Sequence, residues 1–345
     1  MTRVLFVADQ FSDATRSRAE RHPGGAELTD EAAIAACPWS LSTTTFHMLA
    51  SSGVGALEQS DIIVVGNSET ASSEQLLAIA RTGRHVTFEH DLRICRWRGN
   101  FPSGRDYAHR MLQRCWCAQA AQRELFERAR GAIFLTRLQE SYYRKNPFFA
   151  CPATLVLGSS LFGPALLEAA ASTPADRGVR SGASVFASPH PVKGYRQAIR
   201  YCRQHGLAPK EIRGLSPPQV LQHFAASRSF VYLPIGPEWA GRMLVEARLL
   251  GCQVVTNELA GVASEPFWQG DRDGAVSFLA DGPHRFWRLV EELMSTPRHD
   301  AVRPVRPLET VAEKLSGLLR APKACFWPVG PNPLRSSPVH TYAAW

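Results

Sequence analysis

No run of about 18 uninterrupted apolar residues occurs anywhere in the chain, so no membrane-spanning helix is expected. The opening MTRVLFVADQ has too brief an apolar run, and no small-residue cleavage region, to be a signal peptide. It reads as a short strand, and a protein that stays in the cytoplasm is the expectation. Cysteine is sparse too: eight in 345 residues do not make a disulfide scaffold. No C-x-x-C occurs, and the close pair Cys115 and Cys117 has no histidine pair placed to complete a zinc site. Reduced thiols are therefore expected. A D-x-D placed after a strand with free space around it is also missing. The DRD at 271–273 lies in a polar loop near the end of the second domain and reads as surface, so neither an essential metal nor a required cofactor is expected.

What is present fits an ordinary soluble globular protein, with 45% hydrophobic and 20% charged residues. The length favours two domains over one. A formal charge of +8 draws polyanions through long-range attraction: nucleic acid, an anionic membrane face or a small phosphorylated ligand.

Hydrophobic periodicity predicts alternating strands and helices. Strands are expected at 4–9, 62–67, 85–90, 132–136 and 153–158, with helices at 28–37, 72–83, 118–130 and from Leu138 between them. Residues 169–182 are small, polar and rich in breakers, which suits the approach to a new domain. The pattern restarts with strands at 183–188, 211–214, 230–234 and 253–257, and helices at 194–206, 216–227, 286–294 and 309–320. Such alternation predicts an α/β protein with a parallel sheet in each half.

The most informative segment is PEWAGRMLVEARLLGC, 237–252. Pro234 and Pro237 bracket the exit of a strand, which puts Glu238 on the loop at its carboxyl end, where ligands of open α/β sheets gather. Gly241 falls in the first helical turn, where free backbone N–H groups and the helix dipole suit a phosphate. Leu244, Ala247 and Leu250 mark a buried stripe, and Glu246 lies on its flank. A carboxylate there accepts two hydrogen bonds from vicinal hydroxyls; without a ligand diol or a basic neighbour its burial is costly. The plainer alternative makes Glu238 a first-turn acid favouring the dipole and Glu246 a solvated helix residue.

The stretch VYLPIGPEWAGRMLVEARLLGCQVVTNELAG resembles the signature of the retaining nucleotide-sugar glycosyltransferases of family 4. Glu238, Gly241, Glu246, Ala247, Gly251, Val254 and Val255 meet its pattern in register. The resemblance implies the GT-B architecture, two Rossmann-like domains whose parallel sheets face a central cleft. It divides the chain into 1–165 on the acceptor side, 166–325 binding the nucleotide-sugar, and a tail, 326–345, packing back on the first domain. It also implies that Glu238 holds hydroxyls of the donor sugar and Glu246 those of the ribose.

Other segments take matching places. The paired glycines of HPGGAELTD, 22–30, expose backbone N–H groups in a tight loop, with Thr29 or Asp30 placed to cap the next helix. In the family this loop lies against donor phosphate and acceptor, and Gly24 and Gly25 match it. His90, at the end of FEH, matches a histidine close to the transferred sugar, with Asp91 beside it to orient it or a substrate hydroxyl. His90 is not read as a general base: the resemblance implies front-face attack, the leaving phosphate helping to deprotonate the acceptor. Lys193, in HPVKG, matches a cation beside the diphosphate. The family's arginine six residues before it is Ala187 here, and Arg242 is the substitute the sequence offers.

The acceptor side is basic. Arg93, Arg96, Arg98, Arg105, Arg110 and Arg114 mix with Trp97, Phe101 and Tyr107, as a nucleic-acid groove requires, although a solvated surface has the same look. The segment after His90 is similar to a divergent, partly viral branch of family 4 that includes enzymes decorating modified bases in phage DNA. Three readings follow: transfer from a UDP-, GDP- or dTDP-sugar to a carbohydrate acceptor; the same core acting on a hydroxylated DNA base (in the host cytoplasm if phage-encoded); or a non-enzymatic nucleotide-sugar or nucleic-acid binder on the same fold. Nothing in the sequence chooses an oligomeric state.

Overall fold

The computed structural model describes residues 1–12, 22–52, 55–95, 98, 120–146, 149–171, 180–297 and 338–345. The expected helix at 309–320 lies outside them, as does most of the expected linker at 169–182.

The first half runs β1 (Arg3–Ala8), α1 (Gly25–Ala35), β2 (Ser40–Thr45), α2 (Phe46–Ser52), α3 (Gly55–Glu58), β3 (Ile62–Val65), α4 (Ser73–Thr82), β4 (His85–Glu89), α5 (Ala120–Glu127), β5 (Gly131–Phe134), α6 (Arg137–Arg144) and β6 (Thr154–Val156). Its six strands form one parallel sheet in the order β2-β1-β3-β4-β5-β6. The continuous apolar run of β3 is wholly buried, as a strand covered on both faces must be. Local chemistry sets the helix ends: Ser72 and Gln75 close a capping box at the start of α4, and Gly83 ends it at φ 60°.

The second half runs α7 (Pro164–Ala171), β7 (Ala183–Phe186), α8 (Tyr195–Gln204), β8 (Pro209–Ile212), α9 (Pro217–Ala226), β9 (Ser229–Val231), α10 (Arg242–Leu249), β10 (Gln253–Asn257), α11 (Pro266–Gln269), α12 (Arg272–Ala280) and α13 (Gly282–Ser295), with β11 (Val339–Tyr342) contributed by the end of the chain. The sheet order is β11-β10-β9-β7-β8, parallel except for β11, which pairs antiparallel with β10. Strand order reverses between β1 and β3 in the first sheet and between β7 and β9 in the second. These are the switch points beside which open α/β sheets bind ligands.

Two expectations about packing are corrected. The end of the tail does not return to the first half: β11 extends the second sheet, and Trp345 packs on Trp268 at 5.3 Å between ring centroids. Arg248 fastens it, stacking 4.2 Å from the Trp345 ring and donating to the Ala343 carbonyl. The element that does cover the first sheet is α13. Its Phe286, Trp287, Val290 and Leu293 join the core built by Phe6, Val64, Phe88 and Ile133, and Trp287 donates to the Ala33 carbonyl at 2.7 Å. The DRD segment is also not a loop, since Asp271 caps α12 by accepting from the Gly274 amide.

The halves meet through loops at the carboxyl ends of their strands. Thr136, after β5, donates to the Trp239 carbonyl, after β9, at 2.5 Å. The Arg137 amide donates to Glu265, beyond β10, at 2.6 Å. Tyr142 and Trp239 pack edge to face across the same joint.

Candidate functional site

Lys193 and Glu238 come from the loops on either side of the second switch point. After β7 the chain makes a single 3-10 turn, Pro191–Lys193, and leaves it through Gly194 at φ 70°. A side chain at Gly194 would overlap the Leu233 carbonyl, so only glycine lets this turn lie against the chain leaving β9. The Ile235 and Gly236 amides then both donate to the Val192 carbonyl, tying the loops together. The Lys193 ammonium donates to Glu238 Oε2 at 2.6 Å, and the Tyr232 hydroxyl donates to the same oxygen. Burial, followed by the Glu238 charge, pushes the Tyr232 phenol well up, so it stays a donor. The backbone of Glu238 is clamped as well: its amide donates to Leu259 and its carbonyl accepts from Gly261, both at 2.7 Å. Among the described residues, nothing donates to Glu238 Oε1.

Glu246 lies one helical stretch further on. It is buried and accepts from Arg242 Nε at 2.8 Å, an i,i+4 pair within α10. The basic neighbour that burial demands is therefore present. Burial raises the Glu246 carboxyl and Arg242 opposes the rise without cancelling it. Arg242 is heavily committed: it also donates to the Leu161 carbonyl at 2.6 Å and stacks 4.4 Å from the centre of the Phe162 ring. Gly241, at φ 57°, is the left-handed residue from which α10 starts.

The glycine loop of the first half reaches this corner. A Cβ built on Gly25 would lie 3.8 Å from Arg242 Cδ. Helix α1 starts at Gly25 rather than at Leu28, with Gly24 as a cap that has no side chain to occupy the first-turn amides. Neither Thr29 nor Asp30 caps it, which corrects that expectation. Thr29 donates back to the Gly25 carbonyl, and Asp30 accepts from His90 Nε2 at 2.7 Å. The His90 side chain is 4% exposed and that of Asp30 2%. His90 Nδ1 is buried with no hydrogen-bond partner among the described residues. Asp91 does not orient the histidine; it pairs with Arg98 at 2.7 Å.

The basic acceptor groove needs a larger correction. Arg93 is 1% exposed and spends its guanidinium internally, on Glu89, Ser68 and the carbonyls of Val65, Gly66 and Phe88. Arg98 is buried too, held by Asp91 and Asn67. Both brace the loop after β4 instead of facing a polyanion, because the carboxylates at 89 and 91 had to be paired. Arg96, Trp97, Phe101, Arg105, Tyr107, Arg110 and Arg114 lie outside the described residues.

Sequence reasoning missed three contributors: Tyr232, the Asp30–His90 contact, and Asn257, which steadies the Pro234 carbonyl at 2.8 Å. Tyr232 had a signal, a lone hydroxyl in the apolar run FVYLP leading to Glu238. Asp30 and His90 are sixty residues apart and had none. Among the described residues, no three His, Cys, Asp or Glu side chains converge to hold a metal ion, and no helix is long and apolar enough to cross a membrane.

Two Rossmann-like, mainly parallel sheets joined through loops at their carboxyl ends define the fold as α/β of the GT-B type. No protein-family model matches the chain, and no curated protein matches it. Solved structures with a similar backbone include Anabaena Alr3699/HepE in complex with UDP and glucose, 15% identical over 92% of this chain and 100% of that one, TM-score 0.44. An alpha-glucosyltransferase in complex with UDP and a 13-mer DNA containing an HMU base is 7% identical over 85% and 99%, TM-score 0.48. AviGT4, a glycosyltransferase involved in avilamycin A biosynthesis, is 13% identical over 86% and 99%, TM-score 0.45. Likenesses this remote bear on neither donor nor acceptor, which rest on the chain's own residues.

Proposed function

We propose that the protein is a retaining glycosyltransferase that moves a sugar from a nucleoside diphosphate sugar to an acceptor hydroxyl. The observation that carries this reading is the Lys193–Glu238 pair, an ammonium and a carboxylate from the two loops of one switch point. Glu238 Oε1 is the acceptor left for a sugar hydroxyl. Lys193 is the cation that a departing diphosphate can draw from Glu238 as its charge grows. Glu246, fixed by Arg242, takes the ribose hydroxyls, and the uncapped amides at Gly24 and Gly25 face the phosphates. In the step itself the bond from the anomeric carbon to the phosphate oxygen breaks and one to the acceptor oxygen forms on the same face. The acceptor proton passes to the leaving phosphate, so no side-chain base is needed.

His90 fits a donating role better than a basic one. Burial lowers its pKa, but Asp30 first, then Asp91 and Glu89, outweigh burial and the net direction is upward. A raised pKa favours the protonated, donating form of the histidine over the basic one.

The acceptor is a carbohydrate hydroxyl or a hydroxylated DNA base. With Arg93 and Arg98 buried, the polyanion reading depends on the other arginines of 96–114. The first experiment is thermal stabilisation by UDP-, GDP- and dTDP-sugars, with transfer then assayed to carbohydrate and to modified DNA. One donor is expected to raise the melting temperature selectively. Glu238→Gln should cut transfer by about 10²-fold or more, and turnover should survive EDTA. Full transfer by that variant would remove Glu238 from the site. A DNA acceptor would announce itself by binding that weakens steeply with salt.

A further inference from the structure

Resting on that reading, we infer that Asp30 is a positioning residue: it holds the Nε2 edge of His90 and thereby presents Nδ1–H to an oxygen of the bound sugar or phosphate. The geometry supports each part. Asp30 Oδ1 lies 2.7 Å from His90 Nε2, and both side chains are almost wholly removed from solvent. An imidazole with one nitrogen fixed has its other nitrogen aimed, and His90 Nδ1 is buried without a partner among the described residues. A buried ring nitrogen with no partner among the described residues is a place for a ligand oxygen. The pocket for Asp30 is itself tailored. A Cβ on Gly66 would come 3.1 Å from Asp30 Oδ2 and 3.0 Å from the Phe6 ring, so glycine at the end of β3 makes the room.

The charged surroundings agree. Asp30, Asp91 and Glu89 face His90, while Glu27 and Arg93 act on Asp30 from its own helix and from the loop after β4. Asp30 is raised by its burial and drawn down by His90, and His90 in turn is raised by Asp30, a direction that favours the form with a proton on both ring nitrogens. Because Asp30 follows the Gly24–Gly25 loop on α1, a phosphate settling on that loop bears on the helix that holds the histidine.

The test uses the full chain and the variants Asp30→Asn, Asp30→Glu and His90→Gln. Asp30→Asn should lower kcat by about 10- to 100-fold with donor KM held within about twofold, and should move the alkaline limb of the pH profile to lower pH. Asp30→Glu should recover part of the rate. Adding Asp30→Asn to His90→Gln should cost nothing further, as expected of two residues acting as one unit. A rate loss in Asp30→Asn with an unshifted pH profile, or additive losses in the double variant, would overturn the inference. Imidazole NMR separates this failure from that of the transferase reading, because it needs no substrate. The His90 resonances should titrate at a lower pH in Asp30→Asn than in the parent, and identical titration would sink the positioning role even if transfer is found.

Discussion

At the scale of single residues, the site depends on positions where only one side chain, or none, is tolerated. Lys193 can reach Glu238 because Gly194 lets the 3-10 turn press against the chain leaving β9. Gly194→Ala should therefore act on function out of proportion to its size. Gly214 is the control: it too has a left-handed backbone, φ 63°, but open space where a Cβ would go. Each alanine incurs the left-handed penalty of about 1–2 kcal/mol. Only at 194 must the turn also move away from Leu233. Urea melts should show Gly194→Ala as the less stable of the two, and calorimetry should show donor binding lost in it and kept in Gly214→Ala. Equal behaviour would mean that the turn does not set Lys193.

At the scale of elements, strands buried on both faces were easy to read. The run IIVV is apolar throughout and buried throughout, and Gly83 and Ser72 announce the ends of α4. Two edge strands, β2 and β11, were not legible. SLSTTT of β2 has no apolar alternation, and it is a strand because its threonines suit the extended backbone and β1 offers hydrogen bonds. VHTY of β11 is ordered in the same way by β10. For the site, spacing located Glu238, Gly241 and Glu246 on one loop and helix. The ion pairs of Arg93 and Arg98 could not be foreseen, because a linear run of arginines does not say which face the chain will bury. Helix α13 was visible as an apolar period, yet nothing in its sequence says which half it covers. It covers the first, and Trp287 is 2% exposed there against Trp39, with its indole donor on Ala33. Trp287→Ala should cost about 3–5 kcal/mol. Trp287→Phe should keep most of the packing and lose mainly the hydrogen bond, about 1 kcal/mol. Chemical denaturation monitored by circular dichroism reads both, and a negligible effect of the alanine variant would place α13 off the core.

At the scale of the whole molecule, the chemistry is divided between the halves. Lys193, Glu238 and Glu246 sit on loops and a helix of the second sheet, whereas His90, Asp30 and the glycine loop belong to the first. Transfer then requires the two sets to be held in register, and the hydrogen bond from Thr136 to the Trp239 carbonyl is part of what holds them. Thr136 is fully buried, and Gly261 packs so closely on it that a side chain there would collide with both Thr136 and Trp239. Thr136→Val keeps the shape but removes both the donor to the Trp239 carbonyl and the cap that accepts from the Gln139 amide at the start of α6, at a cost of about 1–3 kcal/mol. Because the donor-binding groups take their partners almost wholly from the second half, donor affinity should stay within about threefold. Catalysis should suffer more, since a shift of about 1 Å between reacting groups is enough to cost some 10²-fold. Thr136→Val is thus expected to lower kcat by tenfold or more at nearly constant donor Kd, read by isothermal titration and initial rates. A parallel loss of both would mean that the joint supports the donor loops themselves, and that the two halves do not divide the work in this way.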